Sequence, residues 1–151
     1  MADGVDAPFD GSVDAPWQGD ACGLVDAFRR GERSPTEELA AVYAAIEASG
    51  LNAFSHMHRE QAEHAARHAD VTKPFGGVPI GVKELDQVEG WPDTHACVVF
   101  REQVAPHTST NPGRARDRGG AVLVGQTTAS EFGGANLTRT VLNGVTHNPW
   151  Q

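Results

Sequence analysis

Residues 119–125, Gly119-Gly120-Ala121-Val122-Leu123-Val124-Gly125, decide the fold. Ala121 to Gly125 is apolar throughout and bounded by a Gly-Gly turn, the pattern of a strand buried on both faces. Upstream, Val78-Pro79-Ile80-Gly81-Val82-Lys83 is a second β-like run, also behind a Gly-Gly turn. Asn111-Pro112 starts a short helix to about Arg118, and Gly119-Gly120 ends it. Strand, helix and strand in that order predict an α/β layer structure. Two strands do not make a free-standing sheet, so the sequence implies a sheet left incomplete in this chain.

The residues before this unit read as helices. Leu24 to Arg30 is apolar on one side and stops at Gly31. Ser34-Pro35-Thr36-Glu37 is a helix start: Ser34 caps, Pro35 suits the first turn and Glu37 closes a capping box. Leu39, Val42, Tyr43 and Ile46 then recur at helical spacing up to Gly50. A third helix is expected over His58 to Asp70. Residues 86–112 read as irregular, Thr127 to Phe132 as one helical turn, and 144–151 as loop. Residues 1–20 hold five aspartates and no lysine or arginine. Their Val5-Asp6-Ala7-Pro8-Phe9 is echoed eight residues on by Val13-Asp14-Ala15-Pro16-Trp17. This segment is expected to be a flexible acidic tail, with a docking peptide anchored by Phe9 and Trp17 as the alternative; residues 21–151 form the domain.

Composition sets the outer bounds. The chain of 151 residues suits one domain. Ile, Leu, Val and Phe make up only about 20% of it, so a well-filled independent core is not assured. A net charge of −8 argues against nucleic acid as a partner. No apolar run reaches membrane length, and the acidic start lacks a signal peptide's basic region. Cys22 and Cys97 form no metal or disulfide pattern, which implies a reduced, cytoplasmic setting.

Few residues carry chemistry. Lys83 ends an apolar run, either as a lysine whose amine reaches out to water or as a functional buried amine. Glu60, His64 and His68 share a helix face that could hold a metal, but they read more simply as a solvated face; no metal is expected. Cys97 reads as an inert thiol. Gly119-Gly120 precedes its strand, which is the wrong order for a phosphate cradle. Thr127, Thr128, Ser130 and Glu131 follow the best strand, where capping and turn bonds are the expected role. A Ser130–Lys83 pair is a minor alternative.

Three ordered motifs resemble one family. Gly76-Gly77-Val78-Pro79-Ile80-Gly81-Val82-Lys83-Glu84 is similar to the lysine-bearing segment of the amidase signature family. Residues 119–133, ending Thr127-Thr128-Ala129-Ser130-Glu131-Phe132-Gly133, resemble its strand-and-turn segment. Asn143-Gly144-Val145-Thr146-His147-Asn148-Pro149-Trp150 resembles its approach to the active-site loop. The resemblance covers about residues 24–150. It implies amino-terminal helices and the first strands of an α/β/α mixed-sheet core. It also implies an amidase acting on a small-molecule amide through an acyl-enzyme, with no cofactor.

By the same resemblance Lys83 is the catalytic base of a Ser–cis-Ser–Lys triad. The two serines belong to a Gly-Gly-Ser-Ser-rich stretch after Asn-Pro-Trp and are not among these residues, so the chain alone is expected to be inactive. Glu84 stands where an Asp is usual, and Ala96-Cys97 where Gly-Ser is common. A working lysine base must be neutral, which at pH 7 asks for about 4 kcal/mol of environment relative to a free amine. A closed site supplies that. The alternative to a hydrolase is a non-catalytic interaction module or a fragment of a larger assembly, seeking a partner chain or a second copy to complete the sheet.

Overall fold

A computed structural model describes residues 15–150. The helices are α1 (Ala21–Arg30), α2 (Pro35–Ser49), α3 (Arg59–Arg67) and α4 (Thr110–Asp117). The strands are β1 (Phe54–Met57), β2 (Pro79–Lys83), β3 (Val122–Thr127), β4 (Arg139–Thr140) and β5 (Gly144–Val145). The main sheet has the order β1-β3-β2, with β3 parallel to β2 and antiparallel to β1. The arrangement is a mixed α/β fold, as the strand–helix–strand pattern implies.

The helix boundaries follow their capping chemistry. Ser34 accepts from the Glu37 amide at 3.2 Å, and the Glu37 carboxylate accepts from the Ser34 amide at 2.7 Å. Both halves of the predicted capping box are thus formed. Gly31 and Gly50 end α1 and α2 in left-handed conformations. Helix α1 starts three residues earlier than the apolar pattern suggests, because the Asp20 carboxylate accepts from the Gly23 amide at 2.7 Å. Helix α3 ends at Arg67 rather than Asp70.

Strand β3 is buried on both faces and splits the core. Val122 and Val124 pack with Leu39, Tyr43, Ala62 and Ala66 from α2 and α3. Leu123 packs with Val82, Val88 and Trp91 on the opposite side. The Tyr43 hydroxyl donates to the Val124 carbonyl at 3.1 Å and ties α2 to the sheet. A third cluster joins Leu24, Val25 and Phe28 of α1 to Val78.

Four expectations need correction. The main sheet has three strands, not two: β1 escapes the sequence pattern because Phe54-Ser55-His56-Met57 is short, half-polar, half-buried and bulged against β3. Residues 86–109 are irregular only in name. Gly90 and Asp93 donate to the carbonyls of Ala105 and Gln103, and Ala105 donates back to Trp91, which builds a small ladder. That ladder seats Trp91, whose indole donates to Gln61 Oε1 at 2.7 Å and stacks on His58 at 3.7 Å. The segment after β3 is not a helical turn at once; the strand runs to Thr127 and a short 3-10 turn occupies Glu131–Gly133. The segment after Gly144 begins with β5, paired antiparallel to β4.

The expected tail falls largely on residues 1–14, outside those described, and so does Phe9. Its last six residues are built into the fold. Trp17 packs on the α1 cluster, and its amide donates to Glu38. No described helix is long and apolar enough to cross a membrane.

Candidate active site

Lys83 is the last residue of β2, opposite Thr127 of the parallel strand β3. Its side chain is exposed, whereas Val82 before it and Glu84 after it are buried. The alternation of a strand accounts for this: Val82 faces Trp91 and Leu123, and Lys83 faces away. Lys83 borders an open cleft of about 190 Å³, with Ile80, Val82, Asp86, Asn111, Pro112 and Ala115 around it. Among the described residues β2 pairs only with β3, so its other edge is open. Gly81 is required where β2 crosses β3, since a Cβ there would lie 2.8 Å from Thr127 Cγ2.

Directly behind Lys83 is a buried polar junction. Glu84 is 2% exposed. Its carboxylate accepts from the Ala129 amide at 2.6 Å and from Asn143 Nδ2 at 3.0 and 2.8 Å. Thr94 Oγ1 lies 3.4 Å away, and the Glu84 amide donates to the Thr127 carbonyl. One side chain thus gathers the end of β2, the turn after β3, the 94–97 loop and the β4–β5 hairpin. The hairpin is clamped from its other side as well. Asn52 Nδ2 donates to the carbonyls of Asn143 and Val145 at 2.7 and 3.1 Å, and Thr146 Oγ1 donates to the Asn52 carbonyl at 2.9 Å.

The three motifs therefore meet in space. Residues 76–84, 119–133 and 143–150 converge at the carboxyl ends of β2 and β3, where α/β sheets place their sites. The sequence reading singles out Lys83 but not Glu84 or Asn143 as site residues. A charged residue directly after an apolar strand, in the inward phase, is the available signal for Glu84.

The other candidates go elsewhere. Ser130 Oγ donates to the Ala135 carbonyl at 2.8 Å and accepts its amide at 3.2 Å, a turn-capping role. Thr128 Oγ1 lies 2.6 Å from Thr146 Oγ1 and 3.3 Å from the Ala53 carbonyl. Cys97 is a buried free thiol. His64 and His68 lie against each other on the exposed face of α3, with ring centroids 4.4 Å apart and His68 Nδ1 2.8 Å from the His64 carbonyl. Among the described residues no group of three or more His, Cys, Asp or Glu is placed to hold a metal ion.

The fold and the convergence of its motifs define the class: the amino-terminal part of an amidase-type mixed α/β core. Comparison with known proteins agrees. The amidase family profile matches residues 37–151, and the chain belongs to the amidase signature family. A glutamyl-tRNA(Gln) amidotransferase subunit from Akkermansia muciniphila is 37% identical over 125 residues, covering 82% of this chain and 26% of that protein. The substrate complex of 6-aminohexanoate cyclic dimer hydrolase aligns with a TM-score of 0.80 at 30% identity, over 88% of this chain and 28% of that one. A bacterial aryl acylamidase of the amidase signature enzymes shares the fold, with a TM-score of 0.78 at 24% identity over 88% of this chain and 30% of that one. The chain spans about a quarter of the length of the curated relatives it matches.

Proposed function

We propose that these residues form the lysine-bearing part of an amidase that cleaves carboxamide C–N bonds through an acyl-enzyme. Lys83 is the general base. Its neutral amine takes the proton of a bridging serine, which takes that of the nucleophilic serine as its Oγ bonds to the carboxamide carbon. The C–N bond breaks, the nitrogen leaves with a proton, and water releases the acid. Both serines come from the Gly-Gly-Ser-Ser-rich stretch that the family carries after Asn-Pro-Trp. The observation that carries this reading is the position of Lys83, at the carboxyl end of a parallel strand with one open edge, ahead of the Glu84 junction. A closing segment on that edge would supply both the nucleophile and the dry surroundings that a neutral lysine needs.

The test is a chimaera in which residues 37–151 replace the matching segment of a full-length relative. It should hydrolyse simple aromatic or aliphatic amides and lose that activity with Lys83→Ala, while the isolated chain shows no turnover. An active Lys83→Ala chimaera would overturn the assignment.

The relatives named as amidotransferase subunits favour a second reading, in which the acyl group passes to another acceptor within a complex. The open β2 edge and the exposed Leu137, Val141 and Trp150 support a partner chain or a second copy at this face. Size exclusion and amide exchange separate the two: a compact monomer with a protected β2 edge would count against an assembling partner.

A further inference from the structure

The segment Val5-Asp6-Ala7-Pro8-Phe9 repeats as Val13-Asp14-Ala15-Pro16-Trp17, and the fold shows what receives the end of the second copy. The Ala15 carbonyl accepts from Arg33 Nη2 at 2.7 Å. The Trp17 amide donates to both Glu38 oxygens at 3.2 Å. The indole packs on the cluster of Leu24, Val25, Phe28 and Val78. Arg33 and Glu38 are paired at 2.6 Å and buried, 4% and 3% exposed, so the seat is fixed before the peptide arrives. It accepts a backbone carbonyl, a proline that sets the spacing, a backbone amide and an aromatic ring. The one contact that needs an indole is Trp17 Nε1 to the Asp20 carbonyl at 3.0 Å.

The first copy offers the same groups in the same order: the Ala7 carbonyl, Pro8, the Phe9 amide and a ring. We infer that Val5–Phe9 is a second ligand for the Arg33–Glu38 seat, so that the amino-terminal strap has two registers within one chain. In the first, two residues separate Trp17 from the capping Asp20. In the second, ten residues separate Phe9 from Asp20 and include Gly11, Ser12 and Gly19, which accommodate a loop. Loop closure favours the shorter connection by about tenfold, and the indole bond adds to that preference. Trp17 therefore holds the seat in the native chain and Phe9 takes it when Trp17 is gone. The tethered copy outcompetes the same peptide on a second molecule, because a short linker gives an effective concentration of about millimolar.

Four full-length variants test this by thermal unfolding at several protein concentrations. Phe9→Ala should be silent, within about 1 °C. Trp17→Ala should lower the midpoint by about 3–5 °C. Phe9→Ala with Trp17→Ala should lower it by a further 2–4 °C or so, a non-additive result. Phe9→Trp with Trp17→Ala should recover most of the loss, which a fixed structural role for position 17 would not allow. Equal effects of Phe9→Ala in both backgrounds, or a swapped variant no more stable than the double-alanine one, would overturn the inference. So would a rescue that grows with protein concentration, which would put the repeat on a neighbouring molecule. If the double-alanine variant does not fold, comparison of the swapped variant with Trp17→Ala alone still decides the matter.

Discussion

Glu84 and Asn143, 59 residues apart in sequence, are joined by two hydrogen bonds of 3.0 and 2.8 Å from one amide group. Through this contact the lysine-bearing strand fixes the segment that leads to Trp150. The same carboxylate holds the Ala129 amide. Glu84→Ala would strand both donors in a buried site, at about 1–3 kcal/mol each. We expect a loss of roughly 3 kcal/mol in urea unfolding, with increased amide exchange at Ala129 and along β4–β5. Asn143→Ala, which removes only the donor side, should cost less. Equal stability of Glu84→Ala and the native chain would refute the junction.

His58 makes stability depend on pH. Burial, helped by the neighbouring His56, pushes its pKa down to about 4. Its ring stacks on Trp91 with a 9° angle between planes. The unfolded chain therefore binds this proton first. The stabilising effect is complete above about pH 6.5 and is lost as pH falls toward 4. Because the ring is partly solvated, the contribution is about 1–2 kcal/mol. His58→Phe keeps an aromatic face for Trp91 and should flatten the dependence of the urea midpoint between pH 7 and 4. An unchanged slope would mean that other groups govern this range.

The sequence makes the parts with local causes legible. The Ser34–Glu37 box, the glycine stops at 31 and 50, and the all-apolar β3 each follow from neighbouring residues. Strand β1 does not, because its partner lies some 70 residues away and neither face is fully buried. The Glu84–Asn143 junction is illegible for the same reason: it is a contact between distant segments, and only a strand's phase hints that Glu84 points inward. Lys83 is visible because its motif is local, but its exposure follows from the open edge of β2.

The Arg33–Glu38 pair sits under the amino-terminal strap with both side chains nearly inaccessible. Breaking a buried pair leaves one charge without compensation, so Glu38→Ala should cost about 3–5 kcal/mol. Arg33→Met with Glu38→Leu removes both charges and fills the space, and it should restore most of that stability. A double-mutant cycle read by denaturant unfolding checks this, the expected signature being strong non-additivity.

Ser130 is a turn residue in this fold. Its hydroxyl both donates to and accepts from Ala135. Ser130→Ala should cost about 1 kcal/mol of stability, and a fluorophosphonate probe should leave position 130 of the native chain unlabelled. An adduct at Ser130 that disappears in Lys83→Ala would revive a serine–lysine pair within these residues.

Lys83 offers the sharpest separation of folding from chemistry. Its side chain is exposed at the end of β2, so Lys83→Ala should shift stability by no more than about 0.5 kcal/mol. In the chimaera the same substitution should lower kcat by about 10²–10⁴-fold, the range of a lost general base. Lys83→Arg separates charge from proton transfer. A guanidinium keeps its positive charge but cannot deprotonate, so it should be as inactive as alanine. If arginine instead restored turnover, the role of this position would be to hold an anion or orient the substrate, and the proton acceptor would lie elsewhere.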